Sequence, residues 1–284
     1  MGASLLRLHF HDCFVNTAIP NNNSLRGFDV VAKINNALTK ECGDCVVSCA
    51  DMLAMAANNS VASLGGPRYE ALLGRQDSKT ASFNAVLQNL PAPFFDFATL
   101  VTNFQDHFLN LTDLVVLSSA HTIGFARCIN FAQRIYNDAD INPTFQKELQ
   151  RVCPDNPSGV NASVLWPLDN TTTRFDTRYY QMLLQQTGLL HSDQELYSGG
   201  NSTSADMVTY FSNNPYAFFK AFTASILKMG NLPPTNSSTE VRCNCSIPNP
   251  PSPPPPPPSP SPRPTPSPES GPGLSVGLGI EVHI

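Results

Sequence analysis

The chain has 284 residues, with 17 basic against 22 acidic side chains, a net charge of −5, 14% charged positions and 41% hydrophobic ones. A protein that grips nucleic acid through phosphate contacts carries a basic excess; this chain has none, so no nucleic-acid partner is expected. No apolar run of about 18 residues occurs, which argues against a membrane span, and eight cysteines fit a secreted domain with several bridges rather than a disulfide-dense miniprotein.

From residue 2 an amphipathic helix opens directly, without the charged-then-apolar leader of a secretory signal. Residues 29–40 place Val30, Val31, Ile34 and Leu38 at helical spacing. Residues 48–64 repeat small and apolar side chains at three and four. Helices are next expected over 97–107 and 112–127, with Thr112 as N-cap of the second and Gly124 as its weak point. Residues 142–151, 177–187 and 217–229 complete the set, and Gly188 stands where a C′ glycine would end a helix. Strand signals are sparse, so the fold class is all-α, and no internal repeat is visible.

Residues 1–247 form one unit, long enough to bury a core and wrap a cofactor. Residues 248–284 hold 15 of the 26 prolines, six of them in a row at 253–258. Proline fixes φ and donates no hydrogen bond, so this tail is expected as extended polyproline II without a core. N-x-Ser/Thr sequons begin at Asn22, Asn58, Asn110, Asn161, Asn170, Asn201, Asn236 and Asn244. Their density, beside the cysteines, leans toward a secretory route.

Two constellations carry chemistry. In LLRLHFHDCFV, Arg7 and His11 are four apart and share a helix face, with Phe10 beside them. An imidazole takes a proton near neutral pH, and a guanidinium stabilises an anion that forms as a bond breaks. By spacing alone a surface stripe with a capped histidine is the plainer reading. In TDLVVLSSAHTIGFAR, His121 ends an apolar run among the small residues Ser118, Ser119 and Ala120, which let a flat group approach. Such a histidine can ligate iron through one ring nitrogen while the other donates to a carboxylate, for which Asp193 is a candidate. Taken alone, a core histidine bonded to a carbonyl is the commoner case.

Together the segments resemble the secreted plant haem peroxidases (class III). The matching stretches include GASLLRLHFHDCFVN from residue 2, VVSCADMLAMAA from 46, LGGPRYEALLGRQDS from 64, LPAPFFDF from 90, LVVLSSAHTIGFARC from 114, RFDTRYY from 174 and GLLHSDQELY from 188. They run in order to about Cys245.

The resemblance implies an all-helical fold with haem b between a distal and a proximal helix. It implies His11 as distal acid/base, Arg7 as its partner, Asn21 as the residue bonded to the distal histidine, and Phe10 against the haem. His121 becomes the axial iron ligand and Asp193 its carboxylate; Pro91 touches substrate at the haem edge, with Phe94 and Phe95 near the same mouth. The implied reaction oxidises phenolic donors with hydrogen peroxide in one-electron steps.

Calcium is implied too. Thr122, Asp169, Thr172 and Asp176 make up the proximal site, although the loop is one residue short and leaves Thr171 or Thr172 open. Only Asp12 and the Val15 carbonyl remain of the distal site, too few oxygens for the ion, because Asn16 reaches Pro20 without the family's loop. The implied bridges are Cys49 with Cys245 and Cys128 with Cys153. Cys13 and Cys42 match positions whose partners fall outside this sequence, and Cys45 and Cys243 are extra. The family further implies an extracellular or cell-wall monomer. The extensin-like tail suggests a polysaccharide partner. A non-catalytic wall glycoprotein on the same frame is the competing reading.

Overall fold

A computed structural model describes residues 1–15, 25–79, 89–233 and 238–251. Asn21, the connection from Asn16 to Pro20, and the tail beyond Pro251 lie outside the described residues. The chain divides into a unit Met1–Asn249 and a second, Pro250–Ile284.

The first unit is helical, as expected. Helices α1 (Gly2–Val15), α2 (Phe28–Cys42) and α3 (Cys49–Ser63) come first. After strand β1 (Asp77–Ser78) follow α4 (Phe97–Asp106), α5 (Leu111–Ser118) and a 3₁₀ turn at Ser119–Thr122. Strand β2 (Phe125–Arg127) leads to α6 (Cys128–Asn137), α7 (Pro143–Gln150), the single turn α8 (Gly159–Ala162) and β3 (Leu165–Pro167). Then come α9 (Arg178–Leu184), α10 (His191–Ser198), α11 (Ser202–Asn213), α12 (Pro215–Gly230) and β4 (Thr239–Glu240). The strands form two antiparallel pairs, β1 with β4 (Asp77 opposite Glu240) and β2 with β3 (Ala126 opposite Trp166). Among the described residues no helix is long and apolar enough to cross a membrane.

The main core surrounds α5, whose Leu114, Val115 and Val116 are fully buried against Phe175, Tyr180, Phe218 and Phe222. Burying one such phenylalanine contributes about 1.5–3 kcal/mol. A satellite core under α6 and α7 gathers Phe131, Ile135, Leu149 and Leu189. A third, between α1, α2 and α3, gathers Leu5, Leu8, Val31 and Leu53. Bridges Cys49–Cys245 and Cys128–Cys153 form as the resemblance implied. The two extra cysteines join each other, Cys45 to Cys243, so paired bridges hold the strand end of this unit to the α2–α3 corner. Cys13 is buried as a thiol and Cys42 is exposed as one.

Two expected boundaries move. The helix read over 112–127 starts one turn's capping earlier: the Asn110 side chain accepts from the Asp113 N–H while the Asp113 carboxylate accepts from the Asn110 N–H, a reciprocal cap that Thr112 is too late to make. It ends at Ser118, tightens into the 3₁₀ turn, and Gly124 at φ 102° turns the chain into β2. Gly188 does not cap α9, which already ends at Leu184, with Gln186 taking the left-handed conformation at φ 57°. Gly188 is small for a different reason: a Cβ there would lie 2.7 Å from Leu183 Cδ2 and 2.9 Å from Gln194 Oε1.

Candidate active site

Helix α1 carries the first constellation because its apolar residues are spread widely enough to bury it on two sides, against α3 and α12. His11 is 4% exposed, whereas Arg7, one turn earlier, keeps an open surface. The Arg7 Nε–H donates to His11 Nε2 at 3.2 Å. That bond fixes Nε2 as an acceptor, so the imidazole is neutral with its proton on Nδ1. Burial, and then the Arg7 charge, push the His11 pKa down to about 3. Phe10 sits edge-on to His11 at 5.7 Å and leans on Phe14 at 4.5 Å.

The second constellation lies on the 3₁₀ turn. His121 Nδ1 is 2.8 Å from Asp193 Oδ1. Asp193, in the first turn of α10, is 3% exposed and also accepts the Tyr179 hydroxyl at 3.0 Å. Burial acts most strongly on His121 and lowers its pKa, but the Asp193 charge and hydrogen bond together outweigh it and leave the pKa raised, with Arg7 pulling slightly downward. The carboxylate thus makes the ring electron-rich.

Arg7 and His121 are close enough for the Arg7 charge to act on His121. The His121 side chain keeps 39% of its surface, yet burial is the strongest influence on it. Arg7 is likewise exposed but desolvated, and its charge reaches His121. With Nδ1 held by Asp193, His121 Nε2 is the ring nitrogen left to meet a guest, and no bond to it is made among the described residues. One imidazole nitrogen backed by a buried carboxylate, with a histidine–arginine pair whose charge reaches it, is a donor set that fits haem iron.

Arg127 was not singled out from the sequence. It lies on β2, and its charge lowers the Arg7 pKa after burial does. Two guanidiniums whose charges act on each other suit an anionic guest. Tyr179 was missed too, since no spacing rule joins it to Asp193.

Pro91 lies in the loop before α4, half-buried, with Phe94 60% exposed and edge-on to Phe95 at 5.7 Å. The loop is tied to α10: the Ser192 N–H donates to the Pro93 carbonyl at 3.0 Å, and the Phe97 N–H to Glu195 Oε2 at 2.8 Å. It therefore sits beside the helix that carries Asp193.

The peroxidase family profile matches residues 1–214. The chain belongs to the class III plant peroxidase family. It is similar to Peroxidase RIP1 of Medicago truncatula, 50% identical over 265 residues that cover 86% of this chain and 81% of that protein. Peroxidase 4 of Vitis vinifera is 47% identical, covering 85% and 80%, and Peroxidase 2 of Oryza sativa subsp. japonica is 48% identical, covering 86% and 81%. The 265 aligned positions of the Medicago protein exceed the 86% of this chain that they span, so that relative holds internal residues absent here. Membership makes this peroxidase an oxidoreductase of the haem type that uses hydrogen peroxide, in a family that binds haem and calcium.

In the peroxidase the expected proximal calcium residues gather. The Thr122 hydroxyl donates to Asp169 Oδ2 at 2.7 Å and lies 3.3 Å from Asp176 Oδ1. The second hydroxyl at the centre is Thr171, within 3.3 Å of both carboxylates, and not Thr172, whose carbonyl instead accepts from the Gly124 N–H. Burial first, and the Asp176 charge with it, raise the Asp169 pKa despite three hydrogen bonds that lower it. Two crowded carboxylates and two hydroxyls are the hard-oxygen set a calcium ion takes.

Asp12 is different. Its carboxylate lies 3.4 Å from Arg75 Nε, and the same guanidinium donates to the carbonyls of Asp12, Gly230 and Leu232. Among the described residues Asp12 and Val15 offer too few oxygens for a second ion, and an arginine already balances the carboxylate.

Proposed function

We propose that the recess between His11 and His121 holds haem b and oxidises small phenols with hydrogen peroxide. The observation that carries this reading is the pairing of a neutral, arginine-bonded His11 on one side with a carboxylate-backed His121 on the other. His121 Nε2 would hold the iron, Asp193 would keep His121 Nδ1 protonated and oriented, and Arg127 would meet a carboxylate of the ring. Haem supplies, when bound, the iron that accepts an oxygen atom and the ring that stores oxidising equivalents.

The chain's own residues move the protons. Hydrogen peroxide displaces the Arg7–His11 hydrogen bond. His11 Nε2 takes a proton from the inner oxygen and returns it to the outer one, which leaves as water. Arg7, freed from His11, stabilises the negative charge on the departing oxygen. Asn21, in the role the family resemblance implies, would accept from His11 Nδ1 and keep Nε2 the basic nitrogen. Phenols approach by the loop of Pro91, Phe94 and Phe95. Thr122, Thr171, Asp169 and Asp176 would bind calcium next to His121 and fix the turn that bears it.

The sequons, cysteines and extensin-like tail support a secreted monomer held at cell-wall polysaccharide. Asn58 is not a glycan position in this reading, because its amide both donates to and accepts from the Tyr69 backbone. The test compares the haem-loaded chain with two variants. His121→Ala is expected to lose the Soret band. His11→Ala is expected to keep it and to lose about 10²–10⁴-fold in phenol oxidation. Haem binding with no peroxide reaction in the wild-type chain would favour the non-catalytic glycoprotein instead.

A further inference from the structure

A line of rings leads away from His121 through the core. His121 and Tyr179 lie 6.5 Å apart between centroids, Tyr179 and Tyr180 5.4 Å, Tyr180 and Phe211 5.6 Å, and Phe211 and Tyr210 5.5 Å. Each gap falls within the range of direct aromatic contact, about 4.5–7 Å. The inner three rings are sealed, at 3%, 0% and 6% exposure, and the last, Tyr210 on α11, is 55% exposed. The line thus joins His121 to the surface, on a helix that carries none of the site residues named above.

The groups along it suit the transfer of electrons. The Tyr179 hydroxyl donates to Asp193, which holds the ring in line with His121. The Tyr180 hydroxyl meets the Val115 carbonyl at 3.4 Å and the Ser119 hydroxyl, neither of which is a base, so its ring passes an electron on without keeping the vacancy. Phe211 has no acidic proton and bridges two tyrosines. Tyr210 is a phenol open to water, which takes its proton when it is oxidised.

We propose that Tyr210 is an outer oxidation site for phenolic polymers too large to enter the recess. The inference rests on the peroxidase reading, since hydrogen peroxide is the oxidant. Tyr210 gives one electron inward along the rings and its proton to solvent. A phenol group of the polymer then returns one electron and one proton to Tyr210 and leaves as a phenoxyl radical. Two such turns, with two protons taken up at the recess, reduce one hydrogen peroxide to two waters.

The experiment uses the haem-loaded full chain, Tyr210→Phe and Tyr216→Phe. Phenylalanine keeps the ring and removes only the oxidisable hydroxyl. Tyr216 is the control: it is 82% exposed and makes no ring contact among the described residues. One donor is a free phenol, the other the same phenol grafted to high-molecular-weight dextran. In parallel, peroxide is added with a nitroso spin trap and no donor, and the adduct is located by peptide mass spectrometry. The expected result is an adduct on Tyr210, with dextran–phenol oxidation lost in Tyr210→Phe, intact in Tyr216→Phe, and free-phenol oxidation unchanged in both. Dextran–phenol oxidation that survives Tyr210→Phe overturns the proposal, as does an adduct no commoner on Tyr210 than on Tyr216. A wild-type chain that oxidises neither donor overturns the peroxidase reading and this inference with it.

Discussion

Phe108 is a bulky residue held at φ 59° with 73% of its surface exposed. It follows α4, where the Phe108 N–H donates to the Gln105 carbonyl and the next N–H to that of Phe104. An L-residue in the left-handed region costs about 1–2 kcal/mol, and the exposed ring returns little of it by packing. Phe108→Gly is expected to raise the urea midpoint with an unchanged m-value. The net gain is about 1 kcal/mol at most, because glycine gives back about 0.5–1 kcal/mol in unfolded-chain entropy. A lower midpoint would mean that the ring is packed after all. The residues of the two constellations were legible as residue types at helical spacing. What spacing could not supply was Tyr179 against Asp193, Thr171 in preference to Thr172, or Arg127 beside Arg7. Each of these meets its partner across a chain reversal, and no local period records such a meeting.

Helix α5 shows how one element is fixed at both ends so that the turn bearing His121 is placed. Asp113 closes the reciprocal cap, accepts the Ser225 hydroxyl at 2.8 Å and takes the Lys228 ammonium at 2.5 Å, both from α12. Asp113 is 5% exposed and Ser225 3%, so its loss strands a buried hydroxyl as well as uncapping the helix, while the exposed Lys228 ammonium turns to water. Asp113→Ala is expected to cost about 2–3 kcal/mol, seen as a lower denaturant midpoint, and Asp113→Asn, which keeps the cap acceptor, is expected to cost less. Equal losses would show that the charge and not the cap dominates. Helices α6, α10 and α11 were not read from the sequence. Their polar residues fall among the apolar ones because each is anchored by buried hydrogen bonds: Arg134 to the Gly188 carbonyl, Gln194 to the Leu183 carbonyl, Ser204 to the Leu196 carbonyl. Periodicity counts such residues as solvent-facing, although Arg134 is 1% exposed and Gln194 and Ser204 are fully buried.

For the whole molecule, acid sensitivity follows from the two buried histidines of α1: His11, whose pKa lies at about 3, and His9, which stands outside the site. His9 is 3% exposed, and its ring nitrogens lie 3.8 and 3.9 Å from the buried Cys13 thiol. Burial, and then the charge of Arg75 from the segment before β1, push its pKa down to about 4. A histidine neutral in the fold but basic when released destabilises the fold as pH falls. Above about 6.5 neither state takes the proton. Between there and about 4 the unfolded chain takes it and the folded one does not, so stability is lost over that window, at up to about 1.4 kcal/mol per pH unit. Below both values the loss levels off. His9→Gln is expected to flatten this slope in urea titrations run from pH 7 to pH 4, and an unchanged slope would assign the acid sensitivity elsewhere.

The sequence by itself determined the helical class, the two histidines with their arginine and carboxylate, and two of the three bridges, because these are carried by residue type, local period and long family motifs. Only the tertiary structure decided that Cys45 joins Cys243, that Arg75 balances Asp12, that Thr171 turns toward Asp169, and that a line of rings runs from His121 to Tyr210. Those contacts join residues far apart in the chain or set across turns. They depend on how the helices pack and on which buried polar groups must find partners, and the order of residues along the chain does not contain that information in any local form.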